Sequence, residues 1–286
     1  MANNIHPCIW YNGNAKAAAE FYCTLFPESK ITADTPMVIN FELCGQKFMG
    51  LNGGPVFKPN PSISFFVVSE SDEEINDLWK QLSEGGFAMM PLDKYEWSEK
   101  YGFLQDRFGL SWQVMKGKYS DVNQKITPSF LFTNKQYGHA EAAVKFYTEM
   151  FPSSSINGIL LYGEGEEQAA RKVKHSQFIL DNKVFMAMDG PGSHEFTFNE
   201  AISFVVECNR QEEIDNYWEK LTADGGQESM CAWLKDKFGI SWQIVPIKLG
   251  ELIGSPDKEK AGRAMQAMLK MKKIVIADLQ KAYDGG

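Results

Sequence analysis

The chain contains Asp106-Arg107-Phe108-Gly109-Leu110-Ser111-Trp112-Gln113 and later a close copy of it, Asp236-Lys237-Phe238-Gly239-Ile240-Ser241-Trp242-Gln243. Flanking stretches repeat too, since residues 17–27 return at 142–152 and residues 63–82 return at 202–221. The period of roughly 130 residues is far longer than the 20–50 residues of solenoid repeats. We therefore expect a duplicated whole domain, in which a site used by both copies shows the same polar residues twice.

Length and composition fit this expectation. A chain of 286 residues suits two domains of ordinary size, each able to bury its own core. The net charge of −8 argues against nucleic-acid binding, because neutralising phosphates needs clustered Lys and Arg. No apolar run approaches the roughly 20 residues of a membrane helix, so no membrane partner is expected.

The five cysteines are scattered and form no Cys-x-x-Cys pair or metal-finger spacing; they are Cys8, Cys23, Cys44, Cys208 and Cys231. Such a set is typical of a reduced protein rather than a disulfide framework. The N-terminus has no basic region followed by an apolar core, so no signal peptide is predicted. The expected location is cytoplasmic.

Copy one reads as two modules of the same order. An apolar run ends at Tyr11, and a helix follows over 15–26 with an apolar stripe at i, i+3, i+4 and i+7. Strands are predicted at 37–43, 47–51 and 62–68, and Ser71 opens a capping box before the next helix. The copy closes with a hairpin at the repeated motif. Each copy therefore reads β-α-β-β-β twice, which predicts an α+β fold of four modules.

The predicted domains are residues 1–120 and 125–248, followed by a C-terminal helix over 255–284. Ser255-Pro256 has the composition of a helix start. This helix either covers a sheet edge, docks on the other domain, or pairs two subunits in a homodimer. Copy one also carries an insertion at 91–97, where Trp97 forms either a pocket wall or part of a surface loop.

Several motifs together resemble the vicinal oxygen chelate superfamily, within it the PhnB-like branch often labelled demethylubiquinone methyltransferase-like. They are the four modules, the helix ending in Phe-Tyr and Phe-Pro, the loop Leu51-Asn52-Gly53-Gly54-Pro55, and the Ser-Trp-Gln hairpin. The resemblance covers residues 5–116 and 126–246. It implies curved mixed sheets of the glyoxalase/bleomycin-resistance type, which form a cup around a small-molecule site. Fold alone does not settle function, because enzymes and binding proteins share this cup.

The resemblance also gives places for metal ligands, at the start of the first and fifth strands and on the last. These places fall near His6, Ser62 and Gln113 in copy one, and near Thr127, Ala201 and Gln243 in copy two. A catalytic divalent metal normally needs three good protein ligands, and only His6 is one. We therefore expect no metal and no cofactor. The alternative is a metal-dependent lyase, isomerase or dioxygenase of the same superfamily.

Methyltransferase chemistry is not expected from the residues. A nucleotide-type cofactor site in a doubly wound sheet would show a strand, a Gly-rich turn and a helix. The nearest string is Gly163-Glu164-Gly165-Glu166-Glu167, which is acidic and reads as a hairpin turn.

The candidate ligand-binding residues come mainly from positions that both copies share. In Trp112-Gln113 and Trp242-Gln243, strand alternation places one residue of each pair towards the cup. Asn52 and Asp189 occupy matching loops, as ligand groups or as turn residues.

Four further residues complete the candidates. Trp10 is a cup wall or core residue. Cys231, which lies beside Trp233 in the sequence, is a nucleophile or a buried structural thiol. Trp233 and His6 are the other two candidates. The other histidines, His139, His175 and His194, are expected to be surface or capping residues.

The favoured function is metal-independent binding of a small apolar or aromatic molecule. A scaffold protein with a filled cup is a further alternative. His6 and the insertion at 91–97 favour copy one as the ligand-bearing half.

Overall fold

The computed structural model describes residues 5–165 and 171–286. Glu166 and Glu167 of the Gly-rich string lie outside the described residues. The chain divides into two compact units, one comprising Pro7–Ile202 and the other comprising residues 203–286 with Ile5 and His6.

The described residues contain four modules, each with the order β-α-β-β-β. The first comprises β1 (Ile5–Tyr11), α1 (Ala15–Leu25), β2 (Lys30–Asp34), β3 (Val38–Leu43) and β4 (Gln46–Asn52). The second comprises β5 (Ile63–Ser69), α2 (Asp72–Ser83), β6 (Phe87–Tyr95), β7 (Ser98–Gln105) and β8 (Ser111–Lys116). The third comprises β9 (Ile126–Phe132), α3 (Ala140–Met150), β10 (Ser155–Leu161), β11 (Val173–Leu180) and β12 (Lys183–Asp189). The fourth comprises β13 (Ile202–Cys208), α4 (Gln211–Thr222), β14 (Gln227–Glu228), β15 (Trp233–Lys235) and β16 (Ser241–Pro246).

This order confirms the predicted α+β fold of four modules. Within each module the first strand pairs in parallel with the last, and the other pairs are antiparallel, so the sheets are mixed. The helices form where the apolar stripes predicted them. Ser71 caps α2, because its side chain accepts a hydrogen bond from the Glu74 backbone N–H.

The second and third modules build one eight-stranded sheet within the unit Pro7–Ile202. Its strand order is β10-β11-β12-β9-β5-β8-β7-β6. The central pair, β5 with β9, is antiparallel and runs from Ile63 opposite Phe130 to Val67 opposite Ile126. The last module of copy one and the first module of copy two therefore share a sheet.

One face of this sheet is covered by helices α2 and α3, which contact its strands. The same face carries an aromatic core in which Trp112 and Phe65 pack together, with ring centroids 5.6 Å apart. Tyr22 of α1 packs on Trp112 at 5.4 Å. Burying rings of this size supplies a large part of the hydrophobic stabilisation.

In each of the other two modules, four strands lie side by side. In the first module the order is β1-β4-β3-β2. In the fourth module it is β14-β15-β16-β13. The strand β14 has two residues, whereas its counterpart β6 has nine.

The insertion at 91–97 is part of the hairpin β6–β7, and Trp97 lies at its tip between the two strands. The predicted C-terminal helix is present as two helices, α6 (Lys258–Met268) and α7 (Ile276–Asp284), preceded by a short α5 (Ile247–Ile253). The break has a physical reason, because the Met271 and Lys272 carbonyls accept hydrogen bonds from the Cys231 and Ala232 backbone N–H groups. Asp257, rather than Ser255, caps α6.

No helix in the part of the chain that the structure describes is both long and apolar enough to span a bilayer.

Candidate functional site

The repeated motif begins with a buried aspartate that organises the hairpin turn. Asp106 Oδ1 accepts hydrogen bonds from the backbone N–H groups of Phe108 (2.8 Å) and Leu110 (3.0 Å). Its Oδ2 accepts from Trp112 Nε1 and Tyr22 Oη, both at 2.8 Å. Burial raises the pKa of Asp106, although the four donors favour the charged form. The first half of the motif therefore serves the architecture.

Copy two repeats this turn. Asp236 accepts from the backbone N–H groups of Phe238 and Ile240 and from Trp242 Nε1 at 2.8 Å. Gly109 and Gly239 adopt φ of 86° and 90°, a left-handed conformation that glycine tolerates best. Trp112 and Trp242 are fully buried in the core. They hold the strands that carry Gln113 and Gln243.

Gln113 lies on the face of the eight-stranded sheet opposite α2 and α3, which we call the site face. The strand register places these described side chains on it: Tyr101, Phe103, Ser111, Gln113, Met115, Ser64, Phe66, Val68, Thr127, Ser129, Leu131, Val184, Met186, Met188, His175, Gln177 and Ile179. Six buried residues form an apolar cluster at one end of this face, namely Phe66, Val68, Tyr101, Val122, Val184 and Met186.

A short chain of hydrogen bonds fixes the amide of Gln113. Tyr101 Oη donates to Gln113 Oε1 at 2.7 Å, and Gln113 Nε2 donates to Ser64 Oγ at 2.8 Å. Burial raises the pKa of Tyr101, so the phenol stays protonated and remains a donor. The amide keeps a second N–H and a second lone pair for another group. Gln113 is thus a preorganised polar group on a mainly apolar surface.

Two further aromatic rings, those of Tyr95 and Trp97, pack on the Tyr101 ring. Trp97 stacks on Tyr95 with centroids 5.0 Å apart, and it meets Tyr101 edge-on at 5.7 Å. The Trp97 side chain is nevertheless 57% exposed. Trp97 therefore lies at the rim of the site face, one ring away from the hydrogen bond to Gln113.

His175 is half-buried on the site face, opposite Leu160 of β10, instead of in the surface or capping position expected from the sequence. Burial lowers the pKa of His175, because the imidazolium would lose its hydration. The ring is accordingly neutral near pH 7.

The burial of His175 predicts that this residue lowers the stability of the protein at acid pH. Since the folded pKa of His175 lies below the unfolded value of about 6.5, the unfolded chain binds the proton more readily. The stability that neutral His175 contributes is fully present above the unfolded pKa, and it is lost as the pH falls through the folded pKa. We expect wild type to lose more free energy of unfolding between pH 7.5 and 5 than His175→Gln does, measured by urea denaturation. Equal losses in the two proteins would contradict this assignment.

Asn52 and Asp189 occupy equivalent places and hold the starts of helices. Asn52 Oδ1 accepts from the Ala15 backbone N–H at 3.0 Å. Asp189 Oδ1 accepts from the Gly138 and Ala140 backbone N–H groups, and its Oδ2 accepts from Val173. Each residue ties the last strand of its module to the first helix, and neither lies on the site face.

Trp10 in β1 packs on the glycine loop that follows Asn52. Its Nε1 donates to the Gly54 carbonyl at 2.7 Å, and its ring meets Phe57 edge-on at 5.2 Å. A Cβ at Gly53 would collide with the Trp10 ring, which explains the glycine there. His6 is buried in the same strand. Both residues belong to β1, which pairs with β4 in another sheet than Gln113.

Copy two has a partial counterpart of the Gln113 group. Gln243 Nε2 donates to Ser203 Oγ at 3.0 Å, and Gln243 lies opposite Trp233 as Gln113 lies opposite Phe103. The position of Tyr101, however, holds Cys231. Burial raises the pKa of the half-buried Cys231 thiol, which disfavours the thiolate that a nucleophile needs.

The structure thus groups the candidate residues by sheet rather than by copy. Of the sequence-predicted residues, it brings Trp97 and Gln113 near each other, while His6, Trp10 and Asn52 belong to the first module. Sequence reasoning missed Tyr101, and it did not predict that Thr127 of β9 in copy two lies on the same face as Gln113. Strand alternation counted backwards from the 106–109 turn is the signal that places Tyr101 on the face of Gln113.

The site face does not suit the metal that the superfamily resemblance implies. Its polar groups near Gln113 are hydroxyls and an amide, which are weak neutral ligands for a transition metal. In residues 5–165 and 171–286, no three His, Cys, Asp or Glu side chains come together in a way that could hold an ion.

Comparison with known proteins places the chain in a family. The family model for 3-demethylubiquinone-9 3-methyltransferase matches residues 3–115 and 124–245. A PhnB protein from Bacillus cereus is 31% identical, over 38% of this chain and 96% of that chain, with a TM-score of 0.37. A glyoxalase I mutant from Zea mays is 13% identical, over 84% of this chain and 92% of that chain, with a TM-score of 0.57, which shows a shared fold. No curated protein matches. Since the family model covers most of both copies, the chain belongs to the PhnB-like, 3-demethylubiquinone-9 3-methyltransferase family, with the vicinal oxygen chelate fold in tandem.

Proposed function

We propose that the protein binds a small apolar or aromatic molecule on the site face, without a metal. The observation that carries this proposal is the chain from Tyr101 through Gln113 to Ser64. It holds one amide in a fixed orientation on a surface of Phe, Val and Met side chains. Small-molecule sites typically combine an apolar lining with a few placed polar groups.

Binding is favoured over catalysis by the chemistry of the same face. Tyr101 is a protonated donor and His175 is a neutral imidazole, and among the described residues neither forms a hydrogen bond with a nucleophile or a second acid. Methyl transfer, which the family description names, is not part of the proposal. The β-α-β-β-β modules do not have the order of a doubly wound cofactor domain.

Substituting Gln113 tests the proposal directly. A panel of quinone-like and other aromatic compounds is chosen because the family description names a quinone. It is titrated while the total tryptophan fluorescence, to which the exposed Trp97 contributes, is followed. For the compounds that bind, Gln113→Ala is expected to weaken affinity about tenfold, since one net hydrogen bond of about 1.4 kcal/mol is lost.

The matched control is Gln243→Ala, which removes the equivalent amide of copy two, where Cys231 replaces the tyrosine donor. We expect Gln243→Ala to change the affinity for the same compounds less than twofold. Equal weakening by both substitutions would contradict a site centred on Gln113. A panel in which no compound binds would refute the binding function.

A further inference from the structure

Two hydroxyl groups on the site face are buried without a partner. Ser111 and Thr127 are both 0% exposed, and neither side-chain oxygen has a hydrogen-bond partner among the described residues. Leaving a buried hydroxyl unpaired is unfavourable by an amount comparable to a lost hydrogen bond. An ordered water or a bound molecule that supplies the partner accounts for such groups.

The strand register places these hydroxyls around the amide of Gln113. Ser111 lies two residues before it on β8 and opposite Ser64 of β5. Thr127 lies on β9 opposite Phe66, which itself lies opposite Gln113. The two hydroxyls therefore flank β5 diagonally, with Ser64 and Phe66 between them.

The charges near this face are turned away or exposed. Lys100 and Lys116 bind Asp72 of α2, at 3.2 and 3.3 Å, on the helix-covered side. Lys125 binds Glu74 of the same helix at 2.6 Å. No Asp, Glu, Lys or Arg occurs among the site-face residues named above.

We propose that Ser111 and Thr127 are ligand-contacting residues and that the ligand is an uncharged aromatic molecule with hydrogen-bonding oxygen or nitrogen atoms. This inference rests on the proposed binding function and specifies its ligand. The ligand displaces neighbouring side chains of the site face, which bury both hydroxyls in the free protein. The hydroxyls then bond to its polar atoms, and Phe66 packs against its ring. A charged group would lose its hydration on this face without gaining an opposite charge.

A matched series of ligands tests the charge requirement. Naphthalene-2-carboxamide and naphthalene-2-carboxylate have nearly the same shape and differ by one negative charge, and 2-naphthylmethylammonium adds a positive one. In isothermal titration calorimetry at pH 7.5 with the full chain, we expect the carboxamide to bind at least tenfold more tightly than either ion.

Two substitutions test the hydroxyls. Ser111→Ala and Thr127→Val remove each hydroxyl with little change of shape. Because the hydroxyls are unpaired in the free protein, we expect the melting temperature to stay the same or rise. The affinity for the carboxamide should fall about fivefold or more for each variant.

The control is Ser176→Ala in the same sheet. The Ser176 hydroxyl is equally buried but donates to the Ala187 carbonyl at 2.8 Å, on the helix-covered face. Its removal should lower the melting temperature and leave the affinity for the carboxamide unchanged. A purely structural role for Ser111 and Thr127 would give this control pattern instead.

The outcomes separate the two proposals. If the carboxylate binds as tightly as the carboxamide and both are weakened by Gln113→Ala, the binding function stands and this inference is overturned. If Ser111→Ala and Thr127→Val lower the melting temperature without weakening the affinity, the assigned contacts are wrong. If none of the three compounds binds, this inference fails, and the binding function is then decided by the quinone-like panel described above.

Discussion

Replacing Asp106 with alanine is expected to lower the free energy of unfolding by about 4 kcal/mol, because four buried donors lose their acceptor at once. Tyr22 Oη, Trp112 Nε1 and two backbone N–H groups would be left unpaired in a core that water does not reach. Typical domains are stable by about 5–15 kcal/mol, so this is a large share. Urea denaturation followed by circular dichroism measures the loss.

Asp106→Asn separates the hydrogen bonds from the carboxylate charge. The asparagine keeps one side-chain oxygen, so we expect a loss of about half that of the alanine variant. Asp236→Ala removes the equivalent turn in copy two and should be of similar size, since it loses the same two backbone donors and Trp242 Nε1. A loss below about 1 kcal/mol for Asp106→Ala would show that the turn does not depend on this side chain.

Replacing Gly86 with alanine is expected to destabilise the protein by about 3 kcal/mol, through overpacking against backbone atoms. Gly86 follows α2, and a Cβ there would collide with the Gln105 carbonyl oxygen and lie 2.9 Å from the Asp106 Cα. Backbone atoms cannot rotate away as a side chain can. The end of α2 and the start of the repeated turn would have to separate, which thermal and urea unfolding would detect.

Gly158→Ala is the control for Gly86→Ala. Gly158 lies in the edge strand β10, and a Cβ there would meet no heavy atom within 4 Å. We expect its stability to stay within about 0.5 kcal/mol of wild type. Similar losses from both variants would contradict the steric explanation.

The order of elements could be predicted from the sequence because each signal is local. The apolar stripe of α1, the cap at Ser71 and the turn at 106–109 depend on neighbouring residues, and the duplication supplied each signal twice. The strand β2 was missed, because its alternating exposed and half-buried residues give only a weak apolar pattern.

The pairing of modules could not be predicted, since it depends on contacts between distant strands. Nothing in the local pattern of β5 states that its partner is β9 of the other copy. The C-terminal helix was predicted without its break for a similar reason. The hydrogen bonds that hold the segment after α6 come from Cys231 and Ala232, in a different part of the chain.

Only some of the candidate site residues could be identified from the sequence. Gln113 was identified from repetition, but the same repetition also selected Trp112, which the aspartate turn requires for packing. Asn52 and Asp189 repeat because both copies must hold a helix start. A repeated residue therefore indicates a shared constraint, and only the structure shows that Trp112 packs on the helix-covered face while Gln113 lies on the opposite one.

The shared sheet has a consequence for the chain as a duplicated protein. If the two copies were separated between Lys116 and Ile126, β5 would lose its partner β9 and become an edge strand. Every residue of β5 is buried, so the new edge would be long, apolar and prone to associate with other chains. A single copy would need a second chain to cover it, and in this protein the peptide linker supplies that neighbour permanently, at an effective concentration that no dilution can lower.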